Sequence, residues 1–297
     1  MPEEIHIFRS PEIEARYDAA YEAVLKQWPV PYEELHLPTR FGDTHVIASG
    51  PKEAPPVLLL PPGGTYAPMW LRNVGPLSQS FRAYAVDIIG EMNKSVPTRP
   101  ILSHREFMDW MKDLFDGLQI EKANLVGNSN GGFFVLETAL YLPERVNKMV
   151  LISPAATFVQ MWSWWLHLFI PAHILAPLIG SEQMVQNAYA WLWQGFPIEE
   201  NFLQLRRISK VAGKGFRPSI NRAVPRVFSD EELRSIQAPV LLLIGDHEVI
   251  YQPAHAIRRA TCLVANLKAE MVPNANHSAQ YTAPDIVNRK ILDFLAN

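Results

Sequence analysis

The sequence predicts an α/β protein: a mostly parallel, doubly wound sheet interrupted by one helical insertion. Three observations predict it. Short runs that are apolar on both sides of a strand recur at 56–60, 84–86, 123–126, 149–152, 239–244 and 269–272, the pattern of parallel strands covered on both faces. Helical segments separate most of them, at 105–118, 131–141, 253–263 and 284–295, and strands alternating with helices make crossover units. Between Pro154 and Phe228 the alternation stops, and five of the eight tryptophans gather there.

The elements follow in order. Ser10-Pro11-Glu12 is a helix start, with a capping hydroxyl and a proline at the first position. Ile13, Tyr17, Tyr21, Val24 and Trp28 then recur at helical spacing before Pro29 and Pro31 end the helix. Two alternating stretches, 34–40 and 44–49, joined through Phe41-Gly42-Asp43, predict an antiparallel hairpin at one edge of the sheet. The parallel strands and their helices occupy the rest of 1–153, and the core resumes at 229–297 after the capping box Ser229-Asp230-Glu231-Glu232. Residues 154–228 form the insertion, expected to sit on the sheet as a helical cap.

Composition excludes several classes. With 297 residues, 48% hydrophobic and 19% charged, the chain can bury a substantial core and is neither disordered nor a small stapled domain. A net charge of -3 offers no electrostatic footprint for nucleic acid or an anionic membrane. The start Met1-Pro2-Glu3-Glu4-Ile5-His6 lacks the positive, then apolar pattern of a secretory signal, so the expected location is the cytoplasm. The most apolar stretch, 162–179, is broken by His167, Pro171, His173 and Pro177 and fits a protein interior better than a bilayer. Cys262 is the only cysteine, which rules out an internal disulfide; a small buried side chain is expected there.

The chemistry concentrates in Gly127-Asn128-Ser129-Asn130-Gly131, a G-x-S-x-G segment between a predicted strand and a predicted helix. A serine on so sharp a turn needs small neighbours two residues away on either side, and the helix start points N–H groups at it. Serine requires a base, and the base an orienting acid. Beyond the strand ending at Ile244 come Asp246 and Glu248; beyond the strand ending at Val272 comes His277. The order serine, acid, histidine is one in which a nucleophile, an orienter and a base occur together. His247 and His255 are weaker candidates for the base, one in the acid loop and one within a helix. Consecutive loop residues at 246–248 make a poor metal site, and neither metal nor cofactor is expected.

With Leu60-Pro61-Pro62-Gly63-Gly64, Val86-Asp87-Ile88-Ile89-Gly90, the elbow at 127–132, 245–248 and Asn276-His277, the chain resembles the α/β-hydrolase superfamily, in its capped, esterase-like branch, across nearly its whole length. The resemblance implies an α/β-hydrolase fold and a triad of Ser129, His277 and Glu248, since the family's acid usually stands three residues after the glycine ending its strand. Asp246 is the competitor. It also implies an oxyanion hole. Family members typically carry His-Gly where this chain has Pro61-Pro62, and proline has no N–H to donate. Gly63 or Gly64, together with Asn130, is therefore the expected donor set.

Asn128 is expected to bond local backbone, and Asp87 to tie loops together rather than react. In the insertion, Trp162, Trp165 and Trp191 are expected to roof the serine and favour a substrate with an apolar portion. Arg206, Arg207 and Lys210 are expected to be solvated. The leading expectation is a cofactor-free serine hydrolase of a small-molecule carboxylic ester or lactone. The alternatives are cleavage of a carbon–carbon or amide bond by the same triad, or a ligand-binding protein that retains the fold without turnover.

Overall fold

Local chemistry places the first helix where the sequence predicts it. In the computed structural model, which describes residues 5–162, 192–196, 208 and 221–296, α1 (Pro11–Leu25) begins where the Ser10 hydroxyl accepts the Ile13 N–H at 3.3 Å. Its buried residues, Tyr17, Tyr21, Val24 and Leu25, form one stripe that packs on the sheet. The hairpin follows as β1 (Tyr32–Thr39) and β2 (Gly42–Ser49), paired antiparallel.

The sheet continues with β3 (Pro56–Leu60), β4 (Arg82–Val86), the short β5 (Val96–Pro97), β6 (Ala123–Asn128), β7 (Val146–Ile152), β8 (Val240–His247) and β9 (Leu267–Asn276). Its order is β1-β2-β4-β3-β6-β7-β8-β9, with β5 against β2. Pairing is parallel from β4 through β9 and antiparallel where β2 meets β1, β4 and β5. The helices between strands are α2 (Val74–Leu77), α3 (His104–Gly117), α4 (Asn130–Tyr141), α5 (Asp230–Arg234) and α6 (Pro253–Leu263), and α7 (Ala279–Thr282) and α8 (Pro284–Ala296) follow the last strand.

Both faces of the central strands are covered because β3, β6, β7 and β8 are apolar at consecutive positions. The run at 269–272, expected to be covered on both faces, instead lies in the edge strand β9, where Glu270 is half-buried and Met271 exposed, since nothing pairs beyond it among the described residues. Leu58, Leu60, Leu125, Leu151 and Leu242 enter one core with Phe107, Trp110 and Phe134 of α3 and α4. Their neighbours Val57, Leu59, Val126, Val150 and Leu241 enter the other with Tyr21 of α1 and Ile291 of α8. Period two thus sends alternate residues to opposite cores. The chain runs from β3 to β4 on one side and returns to β6 on the other, so the carboxyl ends of β3 and β6 flank a topological switch point, where open α/β sheets bind ligands.

The expected insertion, 154–228, is described only in part, and Trp165, Trp191, Arg206, Arg207 and Lys210 lie outside the described residues. Cys262 departs from expectation and is exposed. The buried residues of α6 are Ala256 and Ala260, one turn apart, and a position two residues further on points to the opposite side of the helix. Among the described residues no helix is long and apolar enough to cross a membrane.

Candidate active site

Ser129 stands at the switch point, between β6 and α4, with φ +53° and ψ -118°. That backbone is strained by roughly 1–3 kcal/mol and persists because its surroundings fix it. The Ser129 N–H donates to Ile152 O, and Ser129 O accepts the N–H groups of Phe133 and Ala155, each at 3.0 Å. The flanking glycines are sterically required. A Cβ on Gly127 would lie 2.3 Å from Gly131 O, and one on Gly131 would lie 2.1 Å from Leu60 O. The elbow therefore packs directly onto the end of β3, and α4 begins immediately after the serine, at the helix end whose first N–H groups have no partner within the helix.

The histidine and glutamate expected as base and acid come together from the ends of β9 and β8. His277 Nδ1 lies 2.7 Å from Glu248 Oε2, with both side chains buried. A carboxylate can only accept there, so Nδ1 carries the proton and Nε2 is left as the basic nitrogen. The other oxygen, Oε1, accepts the N–H groups of Val249 and Ile250 at 2.8 and 2.9 Å. The chain reaches this arrangement through a turn in which the Glu248 N–H donates to Gly245 O at 3.2 Å. A Cβ on Gly245 would meet Ala275 O at 2.2 Å, so glycine lets the two strand ends converge.

Asp246 points elsewhere. Its carboxylate accepts the N–H groups of Asn274 and Ala275, both at 3.1 Å, and pairs with His247 at 2.8 Å. Partial burial opposes its charge, but these main-chain donors and His247 hold its carboxyl below the usual range. It fastens the histidine loop from outside. His247 is thereby committed to Asp246, and His255 lies in α6.

Asn128, next to the serine, joins the two halves of the site. Its Nδ2 donates to Ile152 O at 3.0 Å and to His277 O at 3.1 Å, while its Oδ1 accepts from Gln280 Nε2 at 3.0 Å. The residue preceding the serine thus grips the main chain of the histidine. Among the described residues no hydrogen bond joins Ser129 Oγ to His277; such contacts often tighten only when substrate is bound. Asn276 shapes the same turn by accepting the Ser278 N–H at 2.8 Å.

The loop after β3 holds the two glycines expected as oxyanion donors. A Cβ on Gly63 would meet Asn130 Nδ2 at 2.1 Å, so Gly63 packs against the residue that follows the serine. Gly64, at φ +68°, donates its N–H to Glu91 Oε2 at 3.1 Å. That contact engages one of the two expected glycine donors and leaves Gly63 as the neighbour of Asn130. Burial lifts the Glu91 carboxyl to about 7, with the Gly64 N–H opposing the shift. Sequence reasoning missed Glu91, since no local pattern links it to a glycine 27 residues away.

Trp162 is 45% exposed, and its main-chain N–H donates to Ile250 O at 2.8 Å, beside the Glu248 turn. The buried Trp193, from the described part of the insertion, stands 5.7 Å from Tyr281 by ring centroids, and its carbonyl accepts from Asn276 Nδ2 at 3.2 Å. Trp193 therefore touches the histidine turn. Asp87 ties loops as expected: it accepts from Tyr21 Oη at 2.9 Å and from the Ala67 N–H at 2.6 Å. Among the described residues no group of three or more His, Cys, Asp or Glu side chains is placed to hold a metal ion.

A sheet of this order with a strained serine at its switch point defines a class. Residues 55–284 match the family model for the alpha/beta hydrolase fold, and the chain belongs to that family. It is 40% identical over 295 residues to Carboxylesterase YbfK of Bacillus subtilis (strain 168), spanning 97% of this chain and 96% of that one. The crystal structure of naproxen esterase (carboxylesterase NP) from Bacillus subtilis superposes with a TM-score of 0.89 at 34% identity, covering 96% of this chain and 99% of that one. A 2-hydroxy-6-oxo-6-phenylhexa-2,4-dienoate hydrolase of Burkholderia cepacia is 30% identical over 275 residues, 85% of this chain and 91% of that one.

Proposed function

We propose that this α/β hydrolase cleaves carboxylic esters through Ser129, His277 and Glu248 by way of an acyl-enzyme. Ester hydrolysis itself is the activity that its carboxylesterase relatives carry. The observation that carries the triad is the buried 2.7 Å contact of His277 with Glu248, tied through Asn128 to the elbow serine. In the reaction, Ser129 Oγ attacks the carbonyl carbon as His277 Nε2 takes its proton. Glu248 stabilises the imidazolium. The N–H groups of Gly63 and Asn130 hold the oxyanion. Collapse expels the alcohol, which receives the proton from His277. Water then attacks the acyl-enzyme as His277 takes its proton, and His277 returns that proton to Ser129 Oγ as the acid departs. A lactone follows the same steps, its alcohol remaining attached to the acid. An apolar portion of the substrate remains the expectation carried by the tryptophan-rich sequence between Pro154 and Phe228.

Hydrolysis rates of p-nitrophenyl esters from acetate to decanoate, on the wild type and Ser129→Ala, test this reading alongside a covalent phosphonate probe. Turnover and labelling should vanish together in the mutant. Ester turnover retained by Ser129→Ala refutes the nucleophile. The Burkholderia relative favours a second reading. Its named substrate contains no ester or amide, so hydrolysis there breaks a carbon–carbon bond. Labelling without turnover of any ester would favour that chemistry here.

A further inference from the structure

We propose that Glu91 is a positioning residue for the oxyanion hole: by accepting the Gly64 N–H it fixes the Gly63–Gly64 peptide and so limits the adjoining Pro62–Gly63 peptide to the orientation in which the Gly63 N–H faces the oxyanion beside the Asn130 N–H. The inference rests on the ester-hydrolase reading above. Pro61 and Pro62 have no N–H, so Gly63 and Gly64 carry the first donors after β3. Two adjacent glycines have the widest backbone freedom of any pair, whereas an oxyanion donor stabilises a transition state only when it is already oriented. Something must hold them.

The turn after β4 does so from both sides. Glu91 Oε2 takes the Gly64 N–H at 3.1 Å, and Asp87 Oδ1, earlier on the same turn, takes the Ala67 N–H at 2.6 Å. The turn is itself braced. The Glu91 N–H donates to Ile88 O at 3.2 Å, the Asn93 N–H donates to Glu91 O at 2.9 Å, and Asn93 Nδ2 donates to Ile88 O at 2.7 Å. Within the glycine loop, Thr65 Oγ1 donates to Pro62 O at 2.5 Å, closing the segment that Glu91 anchors. On the far side Gly63 abuts Asn130.

Among the described residues no cation pairs with Glu91, which removes the ordinary structural reason for a partly buried carboxyl. The carboxyl is lifted to about 7 by burial, and both its neutral and ionised forms offer an oxygen to Gly64. An amide offers one as well.

The test compares Glu91→Ala, Glu91→Leu and Glu91→Gln with the wild type and Ser129→Ala. It follows p-nitrophenyl ester turnover, inhibition by an aryl trifluoromethyl ketone, inhibition by the product acid, and the thermal midpoint. The ketone adds to the serine and places an oxyanion in the hole, whereas the product acid reports ground-state binding. Complete loss of an oxyanion donor costs ~10²–10³ in rate, so a misplaced one should lower kcat about ten- to a hundredfold in Ala and Leu. Ketone affinity should fall by the same factor as kcat/KM, while product-acid affinity stays within about threefold. Glu91→Gln should restore both to within about threefold. Leu keeps the bulk without the acceptor, so it carries the test if Ala does not fold.

Wild-type rates and ketone inhibition in Ala and Leu would overturn the role. So would a Gln variant as impaired as Ala, or equal losses of ketone and product-acid binding. Wild-type turnover that disappears in Ser129→Ala supports the hydrolase reading whatever the Glu91 variants do. A wild type with neither turnover nor ketone inhibition overturns both.

Discussion

Replacing Glu248 by glutamine isolates the role of the acid. In the native site Oε1 accepts two main-chain N–H groups at 2.8 and 2.9 Å, and Oε2 accepts from His277 Nδ1 at 2.7 Å. The amide oxygen that the substitution introduces can keep only the first role, because the Val249 and Ile250 N–H groups require an acceptor. The NH₂ then occupies the place of Oε2 and donates to Nδ1, which forces the histidine proton onto Nε2. A histidine in that tautomer cannot take the serine proton, and a corresponding change of tautomer in a Ser-His-Asp triad lowers kcat by ~10⁴. That is about 5 kcal/mol of transition-state stabilisation. The three hydrogen bonds survive with donor and acceptor exchanged in one of them, so folding stability should change by no more than about 1 kcal/mol. Asp246→Asn serves as the contrast. Asp246 accepts the N–H groups of Asn274 and Ala275, so its loss should cost about 1–2 kcal/mol of stability and less than about tenfold in kcat. Initial rates on a p-nitrophenyl ester at saturation, with urea midpoints on the same preparations, measure both quantities. If Glu248→Gln kept a tenth of the wild-type kcat, or Asp246→Asn were the more damaging of the two, the assignment of the acid would be refuted.

Two further outcomes are expected. Gly131→Ala places a Cβ 2.1 Å from Leu60 O and 2.6 Å from Pro61 O, and because the obstructing atoms are backbone it should destabilise the fold by at least about 3 kcal/mol; a urea midpoint equal to wild type would refute this. Buried His45 sits between Asp87 and Glu34, each at 2.9 Å, and although burial opposes its charge, those carboxylates raise its pKa to about 9. A raised pKa means that the stabilisation is complete below about 6.5 and is lost as pH climbs through about 9, up to about 3 kcal/mol in all. Urea midpoints between about pH 6 and pH 10 should therefore fall in the wild type and stay flatter in His45→Gln; parallel curves would exclude His45 as the source.

Much of the fold was legible because it is written in local periodicity. Runs apolar at consecutive positions declared the central strands buried on both faces, though not the edge strand β9, and Ser10 and Ser229 declared helix starts that the structure caps through their hydroxyls. The elbow was legible for a related reason. Gly127 and Gly131 are there because a Cβ would strike backbone within the same turn or at the adjoining strand end, a steric demand that short sequence spacing records. Cys262 was misread because burial along a helix depends on which stripe meets the sheet, and Ala256 and Ala260 set that stripe.

By itself the sequence determined that a serine stands at a strand-to-helix turn, that two carboxylates and a histidine follow on later strand ends, and that Pro61 and Pro62 leave the loop after the first parallel strand without N–H groups ahead of its two glycines. Only the tertiary structure decided which carboxylate meets the histidine. Asp246 and Glu248 lie two residues apart, and the turn closed on Gly245 O brings one inward while main-chain N–H groups take the other. It alone joined Asn128 to His277, 149 positions away, and Glu91 to Gly64, 27 positions away. Hydrogen bonds between distant segments leave no periodicity in the chain; they exist only once the strand ends converge.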